Sequence, residues 1–344
     1  MDFSFSSEQQ DLRAAVRDVA ADRCSPARLR EVLDNHDGYD ADLWSLVARE
    51  LGLVGVAVSE ASGGMGGSFV DAAVALEAAG AALFPVPLLS SVVTAVALDR
   101  AGAGDLAAPV AAGEWVAALV VAPTVMATGG GLSGVAAHVV DGHRADLLVV
   151  ASSDGLFALE ASAASVVGAP SLDLTRWQAT VTFDGTAARQ IGDAEASARA
   201  VDLLRVGLAV EVIGGARHCL DSTVDYLKTR VQFGKPIGSF QALQHRAADL
   251  AVDLEAAAST AYYAAWAAAD SPDELPVLAP LAKSVCADAA YRIAAETIQL
   301  HGGIGFTWEH DAHLYFKRAT ATRLLLGDGH RQRALVAERA RLHG

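Results

Sequence analysis

The stretch Tyr226-Leu-Lys-Thr-Arg230-Val-Gln-Phe233-Gly234-Lys-Pro236-Ile-Gly-Ser-Phe240-Gln241 decides how this chain is organised. It joins two Ala-rich segments of helical periodicity, roughly 195–229 and 240–269, and Gly234 and Pro236 force a turn between them. Arg230 closes the first helix, where a cation satisfies the last carbonyls and the macrodipole. A third Ala-rich helix covers 274–301 after Pro272, and shorter helices follow beyond 309. Small alanine side chains let helices approach closely, so residues 194–344 are predicted to form a bundle.

Upstream the texture changes. Short β-branched runs cover Val116 to Val121, Ala137 to Val140, Leu147 to Val150, Leu156 to Leu159 and Ala179 to Phe183. Asp141-Gly142, Asp154-Gly155 and Asp184-Gly185 punctuate them, and Asp-Gly favours the φ > 0 turns that join antiparallel strands. A small antiparallel β domain over 114–193 follows from this. Residues 1–113 read as helices. Ser7 with Gln10 fits a capping box ahead of Leu12, Val16 and Val19. A second helix carries Leu43, Leu46, Val47 and Leu51, with Gly52 placed to end it. A further helix, Phe69 to Leu83, stops before Pro85 and Pro87. The predicted fold class is α+β, ordered as helical domain, β domain and helical bundle.

Composition narrows the function. The 344 residues include 26 Lys or Arg against 41 Asp or Glu, a net charge of −15, which disfavours nucleic acid as a partner. Apolar types make up 52%, yet no run reaches the ~18 residues of a membrane span. The first residues carry neither a basic nor an apolar leader segment, so the expected location is the cytoplasm. Cys24, Cys219 and Cys286 are too scattered for a disulfide framework. His310-x-x-His313, with His301 nearby, lacks the further ligands and cysteines of a zinc site, and no metal is expected. Glu211 is an odd carboxylate in the apolar run 209–213, and reads as paired at a subunit contact rather than as a proton acceptor.

A second motif, Gln299-Leu-His301-Gly302-Gly303-Ile-Gly305-Phe306-Thr-Trp-Glu309, follows the third helix. It is no dinucleotide fingerprint, because its glycines follow a helix rather than a strand, and taken alone they read as a C-cap and turn. The two motifs on a helix–β–helix plan resemble the acyl-CoA dehydrogenase family. The Met1-Asp2-Phe3 opening and the Glu60 to Gly67 stretch match as well, although Ser59 stands where that family usually has Pro. The resemblance implies FAD as cofactor and an acyl-CoA thioester as substrate, dehydrogenated between its α and β carbons. It further implies that Arg230, Phe233 and Gln241 contact FAD held by a neighbouring subunit. Gln299, Gly302 and Gly303 would bring backbone close to the adenine half of that FAD. Glu309 reads as structural.

The sequence departs from the family at the catalytic base. Proton abstraction from the α-carbon needs a positioned carboxylate. Aligning Lys317-Arg318-Ala319 through Gly327 puts Leu326 at the usual position of that Glu, and counting ten residues back from Gly214 puts Leu204 at its alternative position. Asp328 and Glu211 are the remaining weak candidates. The E-P-x-x-G-S-D-like loop and W-[IV]-[ST]-like strand that pack on the flavin ring in the family are missing from 122–126 and 137–140. The leading expectation is a subunit whose homologous partner supplies the base, as in heteromeric actinobacterial members associated with sterol side-chain degradation. A self-sufficient flavoenzyme with a displaced base, assembled with copies of itself, and a non-enzymatic structural homologue are the alternatives.

Overall fold

The computed structural model describes residues 4–34, 38–129 and 131–342, so the Met1-Asp2-Phe3 match lies outside the described residues. Helix α1 (Ser7–Arg23) is capped by Ser6, whose hydroxyl accepts from the Gln9 N–H while the Gln9 side chain accepts from the Ser6 N–H. The capping box thus sits one residue earlier than the Ser7–Gln10 pair, because Ser7 is already helical. After α2 (Pro26–Asp34), α3 (Ala41–Trp44) runs on as a π-helical turn to Glu50, and Gly52 at φ +63° ends it. The helices α4 (Phe69–Ala81) and α5 (Leu88–Arg100) are buried almost all round, and α6 (Gly104–Ala111) closes the region. Between α3 and α4, the Ser59 hydroxyl and N–H both donate to Asp99. A proline at 59 would supply neither donor.

Eight strands then form two four-stranded sheets: β1 (Ala117–Val121), β2 (Met126–Thr128), β3 (Gly131–Val140), β4 (Leu147–Ser152), β5 (Gly155–Glu160), β6 (Ser165–Ala169), β7 (Gln178–Ala187) and β8 (Arg189–Gly192). One sheet has the order β1-β4-β5-β8, the other β2-β3-β7-β6, and all pairs are antiparallel except β1–β4. Alternation along β4 sets the layers. Leu148 and Val150 enter a core between the sheets with Leu132, Val181 and Phe183, while Leu147 and Val149 face the main core shared with the helices.

Only one of the three Asp-Gly pairs makes the expected hairpin, Asp154-Gly155 between β4 and β5. Asp141, itself at φ +55°, instead starts the crossing from β3 to the other sheet, and Gly185 at φ +63° lies within β7 opposite a register shift in β3. The dipeptide supplies a left-handed residue, and the surrounding chain decides whether that becomes a turn or a bulge.

The bundle comprises α7 (Ala194–Thr229), α8 (Gln241–Asp270), α9 (Leu275–His301), α10 (Ala312–Leu324) and α11 (Gly329–Arg339). The α7–α8 connection contains a two-stranded ribbon, β9 (Val231–Gln232) with β10 (Lys235–Pro236). Both residues at its tip, Phe233 (φ +53°) and Gly234 (φ +77°), are left-handed, as a tight hairpin demands. Helices α4 and α7 touch through glycines: a Cβ on Gly80 would stand 2.1 Å from the Glu211 carbonyl, and one on Gly214 would stand 1.9 Å from the Glu77 carbonyl. Gly214→Ala is therefore expected to destabilise the protein by about 1–3 kcal/mol through overpacking. A urea titration checks this: the midpoint falls at constant slope, whereas an unchanged midpoint would mean that the helices can part freely.

Candidate functional site

A cavity of about 940 Å³ opens between the β domain and the bundle. Strands β1, β3 and β4 supply one wall, with Leu119, Val121 and Val139; the N-terminal half of α7 and the α10–α11 connection supply the other. Leu204 and Leu326 both line it, so two positions reached from independent sequence landmarks converge on one space.

Leu326 has φ +60°, a conformation that costs a branched side chain about 1–2 kcal/mol. The fully buried Gln332 holds it there, donating through Nε2 to the Leu326 carbonyl at 2.6 Å and accepting at Oε1 from Arg205 Nε at 3.1 Å. Arg205 also pairs with Asp202, which Arg339 reaches at 2.9 Å. Burial is the leading influence on both partners, raising the Asp202 carboxyl and lowering the Arg205 guanidinium. The loop at Leu326 is thus clamped with an aliphatic side chain on it.

The two candidate displaced bases are committed elsewhere, and neither lines the cavity. Asp328 caps α11, accepting from the Arg331 N–H at 2.9 Å, and that backbone bond holds its carboxyl below the usual range. Glu211 is paired within this chain: Arg318 reaches it at 3.1 Å and Arg176 closes on its other oxygen. Arg318 also binds Asp173 at 2.5 Å, so the segment entering β7 is bolted to α7 and α10.

The second group of sequence-derived residues gathers at one end of the bundle. The Tyr226 and His301 rings stack at 4.5 Å, which brings the ends of α7 and α9 together, and Arg246–Glu296 ties the start of α8 to α9. Arg230, Phe233, Gln241, Gln299, Gly302 and Gly303 are all exposed there. No ion pair engages Arg230 among the described residues. A Cβ on Gly302 or Gly303 would meet nothing within 4 Å, so these glycines leave the surface clear for something outside the chain. The same end exposes Phe233 (90%), Phe306 (87%) and Trp308 (71%). A free guanidinium, an aromatic ring and bare backbone suit a phosphate-bearing planar cofactor presented from outside. Of the nearby imidazoles, His301 Nδ1 donates to the Thr297 carbonyl at 2.8 Å, and the His313 ring packs edge-on to Trp308 at 4.6 Å. No trio of metal-ligating side chains converges among the described residues.

Models of the acyl-CoA dehydrogenase N-terminal and C-terminal domains match residues 6–107 and 194–341. The acyl-CoA dehydrogenase IpdE2 of Mycolicibacterium smegmatis is 37% identical over 334 residues, covering 97% of this chain and 99% of its own. The chain belongs to the acyl-CoA dehydrogenase family. That family consists of FAD-dependent oxidoreductases, and this member also matches a chain of the ChsE4-ChsE5 complex from Mycobacterium tuberculosis. There the identity is 27%, with all of both chains covered and a TM-score of 0.92. A chain of the Tcur3481-Tcur3483 steroid ACAD is 29% identical, with a TM-score of 0.89, covering 97% of this chain and 98% of that one. No helix among the described residues is long and apolar enough to cross a membrane. Sequence reasoning missed Arg205, Arg331 and Gln332 around the cavity. Arg205 carried the same signal as Glu211, a lone charge in the apolar run Leu203 to Leu208.

Proposed function

We propose that the chain is one subunit of a cytoplasmic, FAD-dependent acyl-CoA dehydrogenase whose homologous partner supplies the carboxylate base. One observation carries this reading: the two positions where the family places its base are leucines facing one cavity, while the residues that would serve a neighbour's flavin face outward. FAD, when bound, accepts the β-hydride of the acyl-CoA thioester as the α-proton leaves. This chain's part is to bind and orient: Arg230 meets the cofactor's phosphates, Phe233 and Gln241 flank it, and Gln299, Gly302 and Gly303 let it approach the backbone. Exposed Phe233, Phe306 and Trp308 favour an oligomer, since such side chains at one site mark association. Similarity to a steroid ACAD favours a steroid-derived thioester as the substrate of the assembly.

The test pairs the chain with a homologue that retains the Glu and follows flavin by absorbance. Arg230→Ala is expected to weaken flavin binding by about 1.5–3 kcal/mol, the worth of a charge-assisted hydrogen bond. The side chain is exposed and unpaired, so folding is unaffected. Unchanged flavin affinity in the mixed assembly would remove Arg230 from the cofactor contact.

A further inference from the structure

The cavity's charge is the reverse of what proton abstraction requires. Three arginines line it, Arg205, Arg331 and Arg339, and no Asp or Glu does. Asp202 lies behind the wall and answers Arg205 and Arg339 together, so one carboxylate is shared by two of the three cations. Arg331 has no ion pair among the described residues. Arg205 is only 8% exposed, and its recorded bonds run through Nε and Nη1, which leaves the outer Nη2 without a protein partner. Asp202 answers Arg205 but is shared with Arg339, so the positive charge on this wall is only partly offset. The chain as a whole carries a net charge of −15, which makes this local excess of positive charge a feature of the cavity rather than of the surface.

The two cations flank the two leucines. Arg205 follows Leu204 on α7, and the Arg331 side chain lies against Gly327, whose missing Cβ would come within 2.8 Å of its Cγ. The rest of the wall mixes aliphatic side chains (Leu119, Val139, Leu208, Leu335) with neutral polar ones, among them Ser152, Ser197 and Gln178. We infer that this cavity is a binding site for an apolar molecule bearing its own carboxylate, held by Arg205 and Arg331 and kept without loss of a proton. A planar guanidinium takes a carboxylate through paired hydrogen bonds. The ligand's carboxylate occupies the space where the chain itself has none, and neither Leu204 nor Leu326 can remove a proton from it. This inference is independent of the flavin contacts proposed above.

Titration calorimetry of the full-length chain with decanoate, 1-decanol and free coenzyme A tests it. Decanoate is expected to bind about tenfold or more tightly than 1-decanol, in line with a charged hydrogen bond. Arg331→Gln, at an exposed position, removes most of that preference and leaves 1-decanol binding unchanged; Leu204→Trp, which puts a ring into the cavity beside Arg205, weakens binding of both. Equal affinity for acid and alcohol, no binding of either, or displacement of decanoate by free coenzyme A would each overturn the inference, the last by assigning the arginines to phosphate. Flavin binding by the mixed assembly stays unchanged in Arg331→Gln, so a failure here and a failure of the Arg230 contact are separately visible.

Discussion

Given an acyl-CoA and an artificial electron acceptor, the chain alone is expected to turn over about 10²–10⁴-fold more slowly than its assembly with a Glu-bearing partner, the usual worth of a general base. Leu204 and Leu326 put hydrocarbon at both positions where a carboxylate would act. Neither substitute is free to move in. Asp328 would have to abandon the Arg331 N–H and leave the end of α11 uncapped, and the same bond that depresses its pKa makes it a weaker base. Glu211 would have to leave two guanidinium groups. Asp328→Asn is therefore expected to leave the residual rate unchanged at little cost in stability, because asparagine caps a helix about as well as aspartate. Robust turnover by the lone chain, lost in Asp328→Asn or Glu211→Gln, would establish a displaced base and overturn the partner-dependent reading. Activity that appears only on mixing, and disappears when the partner's Glu is replaced, is the expected pattern.

The features most legible in the sequence were those written in periodicity and in local backbone rules. Helices α7, α8 and α9 fall within a residue or so of the expected spans, because their Ala-rich runs end at a turn-forming Gly-Lys-Pro, at Ser271-Pro272 and at Gly302. Leu204 and Leu326 could be located because each stands at a fixed distance from a glycine with a structural duty: Gly214 admits α4, and Gly327 at φ +93° turns the chain into α11. The long-range partnerships were not legible. Nothing near Asp173 or Arg176 signals that they meet Arg318 and Glu211, and the outcome of each Asp-Gly pair depended on which strand lay beside it. The charge of the cavity was hidden for the same reason, since Arg205 and Arg331 are 126 positions apart and become neighbours only through Gln332 and the α10–α11 turn.

Arg318→Met is expected to cost about 3–5 kcal/mol of stability, a large part of the roughly 5–15 kcal/mol that a folded domain commands. Arg318 is 4% exposed and spends its donors on four acceptors: Asp173 Oδ2 at 2.5 Å, Glu211 Oε1 at 3.1 Å, and the Thr175 carbonyl and hydroxyl at 2.9 and 2.7 Å. Asp173 is 1% exposed, so removing the guanidinium strands its charge where water cannot compensate. Glu211 keeps Arg176 and suffers less. Lysine is no substitute, because a point charge cannot reach acceptors spread over two residues of the β domain and one of α7. The segment held in this way adjoins Pro170 to Leu172, which line the cavity, so the same substitution loosens the wall opposite Leu204. A double-mutant cycle separates the stranded charge from lost packing. If the charge dominates, Asp173→Asn added to Arg318→Met restores part of the lost urea midpoint. If the two losses simply add, Asp173 finds its compensation elsewhere and the network is not what holds the β domain to the bundle.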